Sequence, residues 1–120
     1  MSDIINDPES LIPLSPAVFN ILLALADGDK HGYGIMLEVE HNTGGTVNMG
    51  PGTLYGSIKR MLKAGFILES DERPDPELDD QRRRYYGLTD LGRKVLRAES
   101  QRLVDQVSVL QMKGVLGGTS

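Results

Sequence analysis

Apolar residues in this chain follow helical spacing in four stretches and extended spacing in two short ones. In the first stretch Val18, Phe19, Ile21, Leu22, Leu23 and Leu25 are apolar on nearly every side, which predicts a helix buried between other elements. Ser15 and Pro16 give it a cap and a preset first turn, and it runs to about Ala26, where Asp27-Gly28-Asp29 turns the chain. A second helix is expected from His31 to Glu40, with His31 at its start and Ile35 and Val39 one turn apart. Gly32 and Gly34 weaken that start by about 1 kcal/mol each relative to Ala, so they imply a frayed turn or a close backbone approach. After a Gly-rich loop over residues 42–52, a third helix should run from Pro51 to Lys63 and leave through a left-handed Gly65. At about 100° per residue, Leu54, Ile58, Met61 and Leu62 make its core stripe, with Gly52, Gly56, Lys59, Arg60 and Lys63 opposite.

Phe66-Ile67-Leu68 and Arg82 to Leu88 read as two strands, the second favoured by Tyr85 and Tyr86. Prolines 74 and 76 and a run of acids exclude sheet between them, so the pair is a hairpin with a long acidic tip from Glu69 to Asp80. Thr89 can cap a last helix reaching about Lys113, released by Gly114 and Gly117-Gly118. Along it Leu96, Leu103 and Leu110 recur every seven residues, with Val107 between them. Such a seam on an otherwise polar helix calls for a partner, most simply a second copy. The expected fold is mainly α, of the α+β class: a winged helix-turn-helix with a two-stranded β-hairpin wing and a long C-terminal dimerisation helix. Its parts are a mobile arm over 1–13, a DNA-binding unit over 14–88, the dimerisation helix over 89–114 and a flexible tail over 115–120.

The net charge of −4 and pI near 5.1 argue against a polyanionic partner until the charges are placed. Through residue 57 the chain has seven acids and one base, Lys30. Beyond it, apart from the acidic tip, eleven bases face only Asp90, Glu99 and Asp105. The cationic side of helix three is uninterrupted by acid, and alternation along the second strand puts Arg82 and Arg84 on one face and Arg83 on the other. A recognition helix bearing Lys59, Arg60 and Lys63 beside a basic wing suits double-stranded DNA.

Other chemistry is excluded residue by residue. Zero Cys removes disulfides, thiol nucleophiles and thiolate zinc sites. His31 and His41 stand ten residues apart with nothing to complete a metal site. The stretch 45–50 imitates a phosphate loop, but Pro51 stands where its lysine is required. No nucleophile elbow, paired helical His or carboxylate dyad occurs, so neither an enzyme nor a cofactor is expected. No apolar run approaches the ~20 residues of a membrane span and no secretory leader opens the chain, so a cytoplasmic protein is expected.

Several segments together resemble the PadR-like transcriptional regulators. They are Leu14-Ser15-Pro16, His31-Gly32-Tyr33, Gly52-Thr53-Leu54-Tyr55, Lys59-Arg60-Met61-Leu62, Gly65-Phe66-Ile67 and Arg83-Arg84-Tyr85-Tyr86-Gly87-Leu88-Thr89-Asp90-Leu91-Gly92. The resemblance implies a homodimeric repressor, paired through the C-terminal helix, that binds an inverted-repeat operator and is often released by a small-molecule effector. It places DNA contacts on Tyr33, Thr53, Tyr55, Lys59, Arg60, Arg83 and Tyr85. Gly56 stands where the family usually has Pro, and the acidic tip is longer than expected of a wing lying on DNA. A competing reading is a winged-helix module that binds protein through the tip or the seam without reading DNA.

Overall fold

The computed structural model of the protein describes residues 7–70 and 84–117; Arg82, Arg83 and most of the acidic tip lie outside them. Helix α1, Pro16–Ala24, begins where the Ser15 hydroxyl accepts the Val18 N–H at 3.2 Å, with Pro16 in the first turn. Helices α2, Gly32–Asn42, and α3, Pro51–Ala64, close around it. Ile21, Leu22, Ile35 and Leu54 are completely buried at their meeting point, and each such side chain stabilises the fold by roughly 1.5–3 kcal/mol. Helix α3 ends at Gly65 with φ 83°, the left-handed exit that glycine takes without penalty.

The sheet departs from the sequence expectation. Besides β2, Ile67–Ser70, and β3, Tyr85–Leu88, it contains a short β1, Lys30–His31, and its order is β1-β3-β2, antiparallel throughout. Lys30 pairs with Tyr86 and His31 with Tyr85, so β3 is central and ties the start of α2 to the wing base. Two residues at the edge of a turn carry no alternation, which is why the third strand has no signal of its own. Phe66, expected in the first strand, precedes it and is buried.

Helix α4, Asp90–Met112, has Thr89 as its cap, the hydroxyl accepting the Gly92 N–H at 2.9 Å. The Thr89 hydroxyl lies between the Gly65 and Phe66 carbonyl oxygens and the Thr89 N–H donates to Phe66 at 3.1 Å, so α4 is seated on the exit of α3. Val95, Leu96 and Glu99 are buried, whereas no described residue after Glu99 is. One expectation is thereby corrected: Leu96, expected on the seam, is buried in the core of the head, on which the first half of α4 packs. The stretch 7–13, expected as part of a mobile arm, includes a 3-10 turn, Pro8–Leu11, packed on α4, with Leu11 and Ile12 against the core. Among the described residues no helix is long and apolar enough to cross a membrane.

Candidate nucleic-acid interface

The outer side of α3 follows the helical phase. Leu54, Ile58 and Met61 are buried, while Gly52, Thr53, Lys59, Arg60 and Lys63 are exposed and Tyr55 keeps 49% of its surface in solvent. Among the described residues no carboxylate pairs with Lys59, Arg60 or Lys63, so their charge is presented unneutralised. Of the other described cations, Lys30 reaches Asp27 at 2.6 Å, Arg84 reaches Glu69 at 3.1 Å across the wing base and Arg102 reaches Glu99 at 2.7 Å. Arg93, Lys94, Arg97 and Lys113, on and just past α4, are likewise without a carboxylate partner among the described residues. The Lys30 hydrogen bond and charge hold the exposed Asp27 carboxyl below its usual range.

Ser57 carries no obvious signal as a site residue, yet it is fully buried and its hydroxyl accepts from Arg60 Nη2 at 3.1 Å. The guanidinium therefore folds back toward α3, passing 3.7 Å from where a Cβ on Gly56 would stand. The spacing of three residues between Ser57 and Arg60, with Ser57 between Leu54 and Met61 in phase, is the signal that finds this pair.

The start of α2 joins the same surface. Its cap is His31, whose Nδ1 accepts the Gly34 N–H at 3.1 Å, an unprotonated nitrogen at that position. The His31 ring stacks parallel to Tyr33 with centroids 6.5 Å apart and meets Tyr85 edge-on at 5.3 Å. Tyr33 is 56% exposed, whereas Tyr85 is only 5% exposed. Tyr85, expected as a DNA contact, is thus buried, its ring set edge-on against His31. The two early glycines of α2 have different reasons. A Cβ on Gly32 would collide with the Tyr55 hydroxyl, so the Tyr55 phenol packs directly on the start of α2; a Cβ on Gly34 would find only ordinary contacts. Tyr86, beside Tyr55, is buried, and that burial, with the Glu69 charge, raises its phenol above the ordinary value.

The structure therefore brings Tyr33, Thr53, Tyr55, Lys59, Arg60 and Lys63 to the surface of α2 and α3, and Arg83 lies outside the described residues. Of the seam, Leu103 is partly buried and Val107 and Leu110 are 41% and 38% exposed. Phenols and cations on a helix face with two glycines can approach a duplex closely, donating to phosphate oxygens and base edges. Among the described residues no group of His, Asp and Glu is placed to hold a metal ion.

Comparison with known proteins agrees with the fold. An uncharacterized 37.1 kDa protein in transposon TN4556 of Streptomyces fradiae is 38% identical over 80 residues, covering 67% of this chain and 21% of that protein. This chain thus spans about a fifth of that relative's length. A PadR family transcription regulator from Clostridium difficile superposes with a TM-score of 0.67 at 25% identity, over 82% of this chain and 97% of that one. Bacillus subtilis PadR, solved in complex with operator DNA, gives 0.57 at 25% identity, over 71% of this chain and 46% of that one. The sequence model of the transcriptional regulator PadR-like family matches residues 21–98. The winged-helix fold, the signature segments and that match together establish that this chain belongs to the PadR-like family of transcriptional regulators.

Proposed function

We propose that the protein is a sequence-specific DNA-binding repressor that works in the cytoplasm as a homodimer on an inverted-repeat operator and leaves it when a small molecule binds. The observation that carries the DNA reading is the α3 face, where Lys59, Arg60 and Lys63 stand exposed without a carboxylate partner among the described residues. In this reading α3 enters the major groove and Thr53, Tyr55, Lys59 and Arg60 meet phosphates or base edges. Tyr33 binds the backbone from α2, and Arg83 does so from the wing. The operator-bound Bacillus subtilis relative supports this assignment.

Dimerisation is assigned to the part of α4 that leaves the head. There Leu103, Val107 and Leu110 follow the heptad, with the exposed Val104 flanking them and Val109 and Met112 exposed on other sides of the same helix. So much apolar surface on one projecting helix is unfavourable in water, and a second copy of the same helix covers it most economically. The two recognition helices then sit about one turn of DNA apart, ~34 Å, or a multiple of it. The test is selection of genomic fragments by the purified protein. Recovery of fragments sharing an inverted repeat is expected; recovery of none above a random background at low salt contradicts the proposal.

A further inference from the structure

Glu99 is the last buried residue of α4, with its side chain 3% exposed. A carboxylate so placed is costly unless its lone pairs are occupied, and an apolar residue would fill the site at less cost. Its lone pairs are occupied. Arg102 Nε donates to Oε1 at 2.7 Å and Nη2 to Oε2 at 2.9 Å, while the Leu14 backbone N–H donates to Oε2 at 3.0 Å. The Arg102 hydrogen bonds, with that N–H, hold the carboxyl below its usual range against its burial.

Leu14 immediately precedes the cap of α1, and Glu99 marks the point where α4 leaves the core. One side chain thus bridges the entrance of the first head helix to the exit of the projecting arm, 85 residues apart in sequence. Arg102 Nη1 continues the line by donating to Gln106 Oε1 at 3.3 Å, next to Val107 of the seam. From Glu99 to Met112 the arm is roughly 20 Å long at about 1.5 Å per residue. A tilt of about 10° at its root therefore moves its end by roughly one base-pair step of ~3.4 Å.

We infer that Glu99 is a positioning residue for operator geometry: by pinning Leu14 to α4 at the root of the arm, it sets the half-site spacing the dimer accepts. The inference rests on the dimeric DNA-binding reading above. A buried ion pair kept for stability alone would leave spacing preference untouched.

The test uses the full chain and a library of inverted repeats carrying the selected half-site with the gap varied by single base pairs. Glu99→Gln leaves one acceptor oxygen for three donors and opens no cavity; Glu99→Met removes the Leu14 bond altogether with an apolar side chain of similar length, and serves if the first variant does not fold. Dimer mass and unfolding midpoint are measured alongside. The wild type is expected to favour one gap by about tenfold over gaps one base pair longer or shorter. In folded, dimeric variants that ratio should fall at least about threefold while single half-site affinity stays unchanged. An unchanged ratio, or equal weakening at every gap, overturns the inference and leaves the DNA-binding reading standing. A wild type that selects no spaced repeat at all overturns that reading, and the inference with it.

Discussion

Replacing Gly32 by alanine puts a methyl group where the Tyr55 hydroxyl now lies, with the ring carbons Cζ and Cε1 at 2.7 and 2.9 Å from it. Tyr55 is half exposed, so its phenol can swing away without disturbing the core. Alanine also suits a helix better than glycine by up to about 1 kcal/mol, which offsets the lost contact. Stability should therefore stay within about 1 kcal/mol of the wild type, while DNA affinity falls about tenfold for one displaced hydrogen-bonding group. Two neighbouring substitutions frame the result. Gly34→Ala meets nothing closer than 3.6 Å and should gain about 0.5–1 kcal/mol with unchanged affinity. Gly92→Ala drives its methyl into the Phe66 carbonyl oxygen, which accepts from the Thr89 N–H and hydroxyl and cannot turn aside. Losing those bonds and the seating of the α4 cap should cost about 3 kcal/mol. Urea unfolding followed by far-ultraviolet circular dichroism suits a chain without Trp, and fluorescence anisotropy on a labelled fragment reads affinity. Wild-type affinity in Gly32→Ala, or a stability loss equal to that of Gly92→Ala, would refute the packing of Tyr55 on α2.

Leu110→Asp should leave the head folded and convert a dimer to a monomer by light scattering, because Leu110 touches none of the core and lies on the proposed seam; an unchanged mass would place pairing elsewhere. Glu99 has a lowered pKa in the folded state, so its contribution to stability is complete above the ordinary carboxylate value of about 4.3 and disappears as pH falls below it through the lowered value. Urea midpoints should accordingly drop less steeply in Glu99→Gln than in the wild type across that acid window, and parallel curves would contradict the pin. Tyr86→Phe should be neutral or stabilising by up to about 1 kcal/mol, since the buried hydroxyl has no hydrogen-bond partner among the described residues. A lower melting temperature in that variant would show that the hydroxyl has one.

The helices were legible because each has a strong period and a local stop or start: Ser15 with Pro16, Thr89 at α4, Gly65 at the end of α3. The cationic side of α3 followed from phase alone. What escaped depends on contacts distant in sequence. β1 exists because Tyr85 and Tyr86 offer backbone partners to Lys30 and His31, and Tyr85 is buried because that pairing sets its ring against His31. Leu96 has seam spacing, yet α4 is clamped to α3 through Thr89 and Gly92, which turns that turn of the helix inward. Glu99 reads as an ordinary polar position, since nothing local announces that the Leu14 N–H will meet it.

The central claim is that exposed, unpaired cations on α3 bind a polyanion. Its most direct measurement is the salt dependence of affinity for a selected DNA fragment in the wild type, Lys59→Ala, Arg60→Ala and, as a control on the far end of α4, Lys113→Ala. The slope of log K against log salt should become shallower by about one unit for each of the first two variants and remain unchanged for the third. Equal slopes in all four proteins would contradict the claim and turn the search toward a protein partner.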